Sequence, residues 1–158
     1  MKPPPTGVTE FDAFDHEAHM ERALELARSA ADRGDEPFGS VLVRNDAVVM
    51  EARNAVATAE DVRRHPELDL ARRAAAELPP DERAATAMYT STEPCPMCSG
   101  GIRIAGLGRV VYSAGADDVA EFTGGRPGTR AADVLDDTEV VGPVLHEAGR
   151  AVHEAYGW

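Results

Sequence analysis

One histidine and two cysteines constrain the fold of this 158-residue chain most, because they lie where two helices are predicted to begin. His65 precedes Pro66, and a proline in the first turn of a helix sacrifices no hydrogen bond. Cys95 and Cys98 belong to Pro94-Cys95-Pro96-Met97-Cys98, which follows a predicted strand and opens a second, shorter helix. If these side chains form one site, the fold brings the starts of the two helices together.

The chemistry of these three side chains indicates zinc. A catalytic zinc ion takes three protein ligands and keeps a fourth position for water, and one imidazole with two thiolates supplies that number. The Cys-x-x-Cys spacing lets both sulfurs reach one ion from a single helical turn, where the helix N-terminus favours thiolates. Glu67, two residues after the histidine, is predicted to transfer protons from that water. We therefore predict His65, Cys95 and Cys98 as the metal ligands and Glu67 as the catalytic residue.

Other uses of a Cys-x-x-Cys pair remain open at this point. A redox dithiol and half of a structural zinc site have the same spacing. A closed structural site needs two further ligands, and the chain contains only two cysteines. A redox dithiol does not require the histidine and the glutamate of the His65-Pro66-Glu67 segment. The paired motif therefore favours a catalytic metal.

The charge of the chain argues against nucleic acid as a partner. The formal net charge is −12, Lys2 is the only lysine, and no basic stripe with interleaved aromatic residues is present. No apolar run approaches the ~20 residues that cross a bilayer, and residues 1–5 lack the apolar region of a secretory signal, so a cytoplasmic location is expected. Abundant Asp and Glu with scarce Lys has two interpretations: the charge keeps the protein soluble, or the protein is halophilic and adapted to a high-salt cytoplasm.

Alternating helical and strand patterns predict one α/β domain over residues 15–158, preceded by an N-terminal arm over residues 1–14. Asp15 is a good N-cap for a first helix. Strand and helix signals alternate after it, which implies a mostly parallel sheet covered on both faces. The predicted elements are a helix over 16–33, a hairpin of 39–44 and 47–52, a helix over 66–78, a strand over 87–90, a helix to about 105, a strand over 109–113, a loop over 123–128, a strand over 139–144 and a helix over 146–156.

The paired H-x-E and P-C-x-x-C pattern resembles the cytidine and deoxycytidylate deaminase superfamily. Within it, residues 89–98 and Pro37-Phe38-Gly39 look most like bacterial guanine deaminases and related nucleoside deaminases. The resemblance implies a three-layer α/β/α sandwich with a central mixed, mostly parallel sheet of about five strands. It also implies a zinc cofactor and a homodimer. Pro66 departs from the small residue that the family usually has there.

The resemblance further implies three substrate-binding residues. Asn54 matches an asparagine that hydrogen-bonds the base or sugar, Phe38 matches a pocket wall, and Asp118 matches an acidic residue that accepts from an exocyclic amine. On their own residue types, Asn54 reads as a turn residue, Phe38 as core and Asp118 as a solvated N-cap. His16 and His19 are expected on the surface of the first helix. His146 and His153 share a face of the last helix, and none of these four is assigned to metal.

The expected activity is zinc-dependent hydrolytic deamination of a nucleobase or nucleoside, with release of ammonia. Guanine or a related aminopurine is expected ahead of cytosine or cytidine, and the expected partner is a small molecule, with neither nucleic acid nor a membrane involved. One alternative is a tRNA-specific adenosine deaminase, which shares the motifs and which the acidity disfavours. Another is a non-catalytic, zinc-stabilised binding protein, which would leave no coordination position open.

Overall fold

The computed structural model describes residues 11–158. Most of the predicted arm over residues 1–14 therefore lies outside the described residues. Within its described part, Phe11 is buried in the core and Phe14 packs against it. The helices and strands are, in chain order, α1 (His16–Asp32), β1 (Gly39–Arg44), β2 (Ala47–Arg53), α2 (Val56–Ala59), α3 (Pro66–Glu77), α4 (Pro80–Ala84), β3 (Ala87–Thr92), α5 (Pro96–Ala105), β4 (Arg109–Ala114), α6 (Ala116–Thr123), α7 (Ala131–Val134), β5 (Glu139–Val141) and α8 (His146–Tyr156).

The five strands form one mixed sheet in the order β2-β1-β3-β4-β5. β1 pairs antiparallel with β2 and with β3, whereas β3, β4 and β5 pair in parallel. Four strands therefore run in one direction and β1 runs in the other. The predicted hairpin is confirmed, and Asn45 and Asp46 at its turn both have the positive φ angles, 52° and 60°, that a tight hairpin turn requires.

Helices cover both faces of the sheet, which confirms the predicted three-layer sandwich. Alternate residues of β1 point to opposite faces, and both faces are buried. Val41 and Val43 pack with α1 and with Val152 of α8 in one hydrophobic cluster. Leu42 packs with α3, α5 and α7 in the other. Within residues 11–158, no helix has the length and apolar character needed to cross a bilayer.

Three expectations differ from the structure. The last strand is shorter than 139–144 and ends at Val141, because Pro143 follows and cannot donate to a sheet ladder. The short helices α2, α4, α6 and α7 were not predicted, since four to eight residues give too little apolar periodicity to detect. His19 is buried and not on the surface, because its Nε2 lies 2.7 Å from Oδ1 of Asp46 at the hairpin turn.

Candidate active site

His65 is held at the N-cap of α3 by the proline that follows it. A residue before proline is restricted to extended backbone, and His65 has φ −81° and ψ 138°, with Pro66 at the start of the helix. Its Nδ1 lies 3.7 Å from Sγ of Cys95 and 3.5 Å from Sγ of Cys98. The imidazole therefore faces the two thiols although they are 30 and 33 residues away in the chain.

The segment that carries the cysteines has the same backbone arrangement, an extended N-cap residue followed by proline. Cys95 occupies the N-cap of α5 with φ −68° and ψ 169°, and Pro96 starts the helix. Cys98 lies one turn on and is fully buried. Two Xaa-Pro helix starts thus present all three side chains, and unpaired helix N–H groups favour the anionic form of the thiols.

Gly101 allows α3 and α5 to approach closely enough for the two segments to meet. A Cβ atom at this position would lie 2.6 Å from Cδ1 of Leu68, well inside van der Waals contact. Leu68 is in the first turn of α3, three residues from His65. Gly101 therefore lies where α5 packs against the first turn of the helix that carries His65.

The spacing of the three ligand atoms fits zinc. The nitrogen of His65 and the sulfurs of Cys95 and Cys98 all lie within 4.8 Å of one another. Zn–N and Zn–S bonds at a tetrahedral angle separate nitrogen from sulfur by about 3.6 Å. The observed N–S distances of 3.7 and 3.5 Å bracket that value. The three residues can therefore hold one zinc ion without rearrangement of the backbone.

The two thiols differ in acidity because they share a hydrogen bond. A bond from Cys98, together with one from His65, lowers the pKa of Cys95 to about 4. The same bond and burial raise the pKa of Cys98. The lowered pKa of Cys95 favours its thiolate, which suits a site whose cysteines bind as anions.

Glu67 lies beside this group, and one of its oxygens has no hydrogen-bond partner in the described part of the chain. Its side chain is buried, with 5% of the residue exposed, and Oε1 makes no hydrogen bond within residues 11–158. An unpaired buried polar atom is costly, so this oxygen marks a place for a further polar group. Burial raises the pKa of Glu67 to about 7. A carboxyl group that titrates near neutrality can both accept and donate a proton.

A cavity of about 200 Å³ opens next to Cys95. Phe38 lines it together with Val119 and Ala120 of α6 and Arg126 of the loop that follows, and contact of Phe38 with substrate stays a prediction. The apolar part of this wall suits a flat ring. The remaining lining residues are Thr92, Glu93, Pro94, Pro96, Ala116, Thr123, Pro127 and Thr129.

Asn54 is buried next to this wall, directly after β2. Its backbone N–H donates to the carbonyl of Phe38 at 2.9 Å, which connects the two predicted residues. Its Oδ1 accepts from the N–H of Val56 at 3.1 Å, so the group that the side chain can offer to another molecule is its NH₂. Asn54 therefore combines the turn role and a free donor, and its contact with substrate stays a prediction.

The structure does not bring Asp118 to the cavity wall. Oδ2 of Asp118 accepts from the N–H of Gly115 at 2.8 Å and lies 2.9 Å from Nε2 of His146, and Oδ1 accepts from Arg150. Burial opposes ionisation of Asp118, but these donors outweigh it and hold its pKa below the usual value. Both oxygens are thus engaged inside the protein, and contact with substrate at Asp118 stays an untested prediction.

Glu93 and Arg130 were missed by sequence reasoning. Arg130 donates to both oxygens of Glu93, which also accept from the N–H groups of Ala116 and Ala131. This buried carboxylate therefore ties the segment before Cys95 to the starts of α6 and α7. The position of Glu93, two residues before Cys95, could have indicated a role at the site. Arg130 lies 37 residues from Glu93, and no local sequence pattern indicates its role.

His153 lies behind the wall and is held neutral by its surroundings. It is 1% exposed, its Nε2 is 2.9 Å from Oγ1 of Thr92, and its ring centroid is 5.6 Å from that of Phe38. Burial lowers the pKa of His153 from 6.5 to about 4. The folded protein therefore excludes a proton that the unfolded chain binds below pH 6.5.

This difference predicts a loss of stability in acid. Above pH 6.5 the histidine is neutral in both states, and stability falls as pH drops towards 4, by about 3 kcal/mol in total. Urea unfolding of the wild type and of His153→Gln at a series of pH values measures the effect. Both proteins keep the same metal ligands, so the difference between their curves isolates His153. A constant difference at all pH values would contradict the prediction.

Comparison with known proteins identifies the family. Residues 14–114 match the cytidine and deoxycytidylate deaminase zinc-binding region. The chain belongs to this family. A guanine deaminase of Bacillus subtilis is 38% identical over 68% of this chain and 70% of its own length. A probable cytosine deaminase of Schizosaccharomyces pombe is 32% identical over 88% and 90%.

Solved structures agree on the whole fold. A guanine deaminase from Nitrosomonas europaea superimposes with a TM-score of 0.75 and 26% identity, covering 99% of this chain and 94% of that one. A second solved structure, of a protein in complex with 2,6-diaminopurine, gives a TM-score of 0.71 at 26% identity over 99% and 91%. The predicted superfamily and the cytidine-deaminase-like fold are confirmed. The three predicted ligands form the group that fits the family's zinc.

Proposed function

We propose that this zinc-dependent deaminase domain acts on a small nucleobase or nucleoside, with guanine or a related aminopurine first and cytosine or cytidine next. The observation that carries the proposal is the buried carboxyl group of Glu67, whose unpaired Oε1 lies beside the His65–Cys95–Cys98 group. The neighbouring cavity has room for a single planar ring system and has one aromatic wall, Phe38. The names of the two curated relatives, guanine deaminase and cytosine deaminase, support the choice of bases.

The reaction replaces an exocyclic amine with a carbonyl oxygen. When bound by His65, Cys95 and Cys98, zinc supplies the Lewis acidity that makes water ionisable near neutral pH. Glu67 takes one proton from the water that adds to the ring carbon and delivers it to a ring nitrogen. It then takes the second proton, from the hydroxyl group so formed, and delivers it to the departing amine. Water adds at the ring carbon, the C–N bond breaks and ammonia leaves, so the carboxyl group ends in the state in which it began.

A substrate screen with the zinc-loaded protein tests this proposal. Ammonia release is measured with guanine, 2,6-diaminopurine, cytosine, cytidine and adenosine as separate substrates. Release from guanine or 2,6-diaminopurine ahead of the others is the expected result. Turnover of none of these compounds would overturn the proposal.

Inclusion of tRNA in the same screen tests the alternative activity, deamination of adenosine in tRNA. A chain with net charge −12 has no general attraction for a phosphate backbone. We expect no binding to tRNA at low salt, where electrostatic attraction is strongest. Deamination of adenosine in tRNA with no activity on free bases would reverse the assignment.

We also propose a homodimer formed through the exposed face of α5. Met97 and Ile104 lie seven residues apart on this face with 40% and 85% exposure, and Gly100 between them has open space around it. An apolar stripe of this kind is stabilised when a second copy covers it. Light scattering after size exclusion is expected to give twice the chain mass of 16.8 kDa for the wild type and the single mass for Ile104→Glu. Val62→Glu changes another exposed apolar residue outside α5 and serves as the control; a monomeric wild type would exclude this interface.

The acidic composition leads to a proposal about salt, in keeping with a halophilic, cytoplasmic protein. Salt screens the mutual repulsion of a net charge of −12 and so favours the compact state. We expect the unfolding temperature to rise by several degrees from millimolar to molar KCl. Sucrose at matched osmolality controls for exclusion of cosolute from the surface. An unfolding temperature that does not depend on KCl would contradict adaptation to salt.

A further inference from the structure

The last residue of the sequence, Trp158, is bonded to a buried histidine behind the cavity. Its indole Nε1 donates to Nδ1 of His153 at 3.1 Å. An indole N–H is only a donor, so Nδ1 accepts and carries no proton. The ring proton of neutral His153 is then on Nε2, which donates to Oγ1 of Thr92 at 2.9 Å. One chain of hydrogen bonds therefore runs from Trp158 through His153 to Thr92.

This chain of hydrogen bonds ends on the cavity wall. Thr92 is the last residue of β3 and lines the cavity, three residues before the zinc ligand Cys95. Phe38, which also lines it, contacts two members of this chain, which we call the relay, with ring centroids 5.6 Å from His153 and 6.1 Å from Trp158. Phe122 stacks with His153 at 6.2 Å. The indole itself is 41% exposed and is not among the residues that line the cavity.

We propose that Trp158 and His153 are positioning residues that fix Phe38 and Thr92 at the spacing that accepts the substrate base. The inference rests on the proposed function for the choice of ligand. The two residues make no contact with His65, Cys95 or Cys98 in the hydrogen bonds and ring contacts described above. They therefore act on binding of the base and leave the proton transfer by Glu67 unchanged. Loss of the indole N–H frees the His153 ring to turn and removes the support behind Phe38.

Steady-state kinetics of two Trp158 variants test the proposal. Trp158→Phe keeps an aromatic ring and removes the N–H, and Trp158→Ala removes both. We expect KM for guanine to rise about fivefold in the first and about tenfold or more in the second, with kcat within a factor of two of wild type. Tyr156→Phe is the control, because it alters an exposed neighbour of Trp158 and leaves the relay intact. Unchanged KM in both variants, or a fall in kcat at constant KM, would overturn the proposal.

A binding measurement separates this proposal from the assignment of activity. Calorimetric titration with 2,6-diaminopurine, carried out in a Glu67→Gln background that suppresses turnover, reports the affinity of the cavity for the base. Trp158 is the only tryptophan, so its fluorescence follows the same event directly. Weaker binding by Trp158→Phe together with a ligand-induced change in wild-type emission supports the relay even if no base is deaminated. Equal affinity of wild type and both variants overturns it, and circular dichroism of each variant confirms that the comparison is between folded proteins.

Discussion

Glu67→Gln is expected to reduce ammonia release by about 10²–10⁴-fold, which is the usual contribution of a general acid–base residue. Glutamine has nearly the same size and can fill the buried space, but it cannot accept the proton that water loses. Zinc content should remain one ion per chain, because the substitution leaves His65, Cys95 and Cys98 in place. Ammonia assays and elemental analysis on the same preparation measure both quantities.

The matched control for this variant is Asp69→Asn, two residues further along α3. Asp69 forms an ion pair with Arg64 at 3.1 Å and has no place in the proposed reaction. Its activity should stay within a factor of two of wild type, because the substitution keeps the size of the side chain and removes only an ion pair whose Arg64 partner is solvent-exposed. If Glu67→Gln keeps wild-type turnover, another group moves the proton and the role given to Glu67 is wrong.

Cys98→Ser is expected to lose zinc, activity and stability together. Cys98 is fully buried between α3 and α5, so the change removes one of three ligands without altering the surface. Metal binding stabilises the folded state only, and its loss lowers the unfolding temperature as well as the catalytic rate. We expect less than one tenth of the wild-type zinc content and no ammonia release above background. Elemental analysis and thermal unfolding measure the two effects.

Ser99→Ala separates loss of the metal from damage to the helix. Ser99 is the buried neighbour of Cys98, and its Oγ donates to the carbonyl of Pro94 at 3.3 Å. This variant loses a hydrogen bond worth about 1 kcal/mol and keeps all three ligands, so it should retain zinc and activity. Full zinc occupancy in Cys98→Ser would show that the sulfur of Cys98 is not a ligand.

The part of the site that sequence predicts is the part encoded by local rules. His65-Pro66 and Cys95-Pro96 each combine an extended residue with a proline that starts a helix, so their backbone conformation follows from two adjacent residues. The helix after Asp15 and the hairpin at residues 45 and 46 have the same local origin. These features were predicted because no distant residue was needed to fix them.

The environment of a polar side chain depends on distant residues and was predicted less well. For Asp118 the contact with substrate stays a prediction, and the partners that engage it in the structure, His146 and Arg150, lie 28 and 32 residues away and were not predicted. The position of His153 behind the cavity was not predicted, because its partner Thr92 lies 61 residues earlier in the chain. The residue type limits the chemistry that a polar side chain can perform. Its hydrogen-bond partner is decided by tertiary packing.

X-ray absorption at the zinc edge tests the central assignment most directly. We expect His65, Cys95 and Cys98 to bind one zinc ion and to leave a position for water. The spectrum of the loaded protein will then fit two sulfurs at about 2.3 Å and two lighter ligands, one of them a histidine nitrogen, at about 2.0 Å. Four ligands that all come from the protein would indicate a closed structural site without room for water. A single sulfur, or none, would contradict the proposed metal centre.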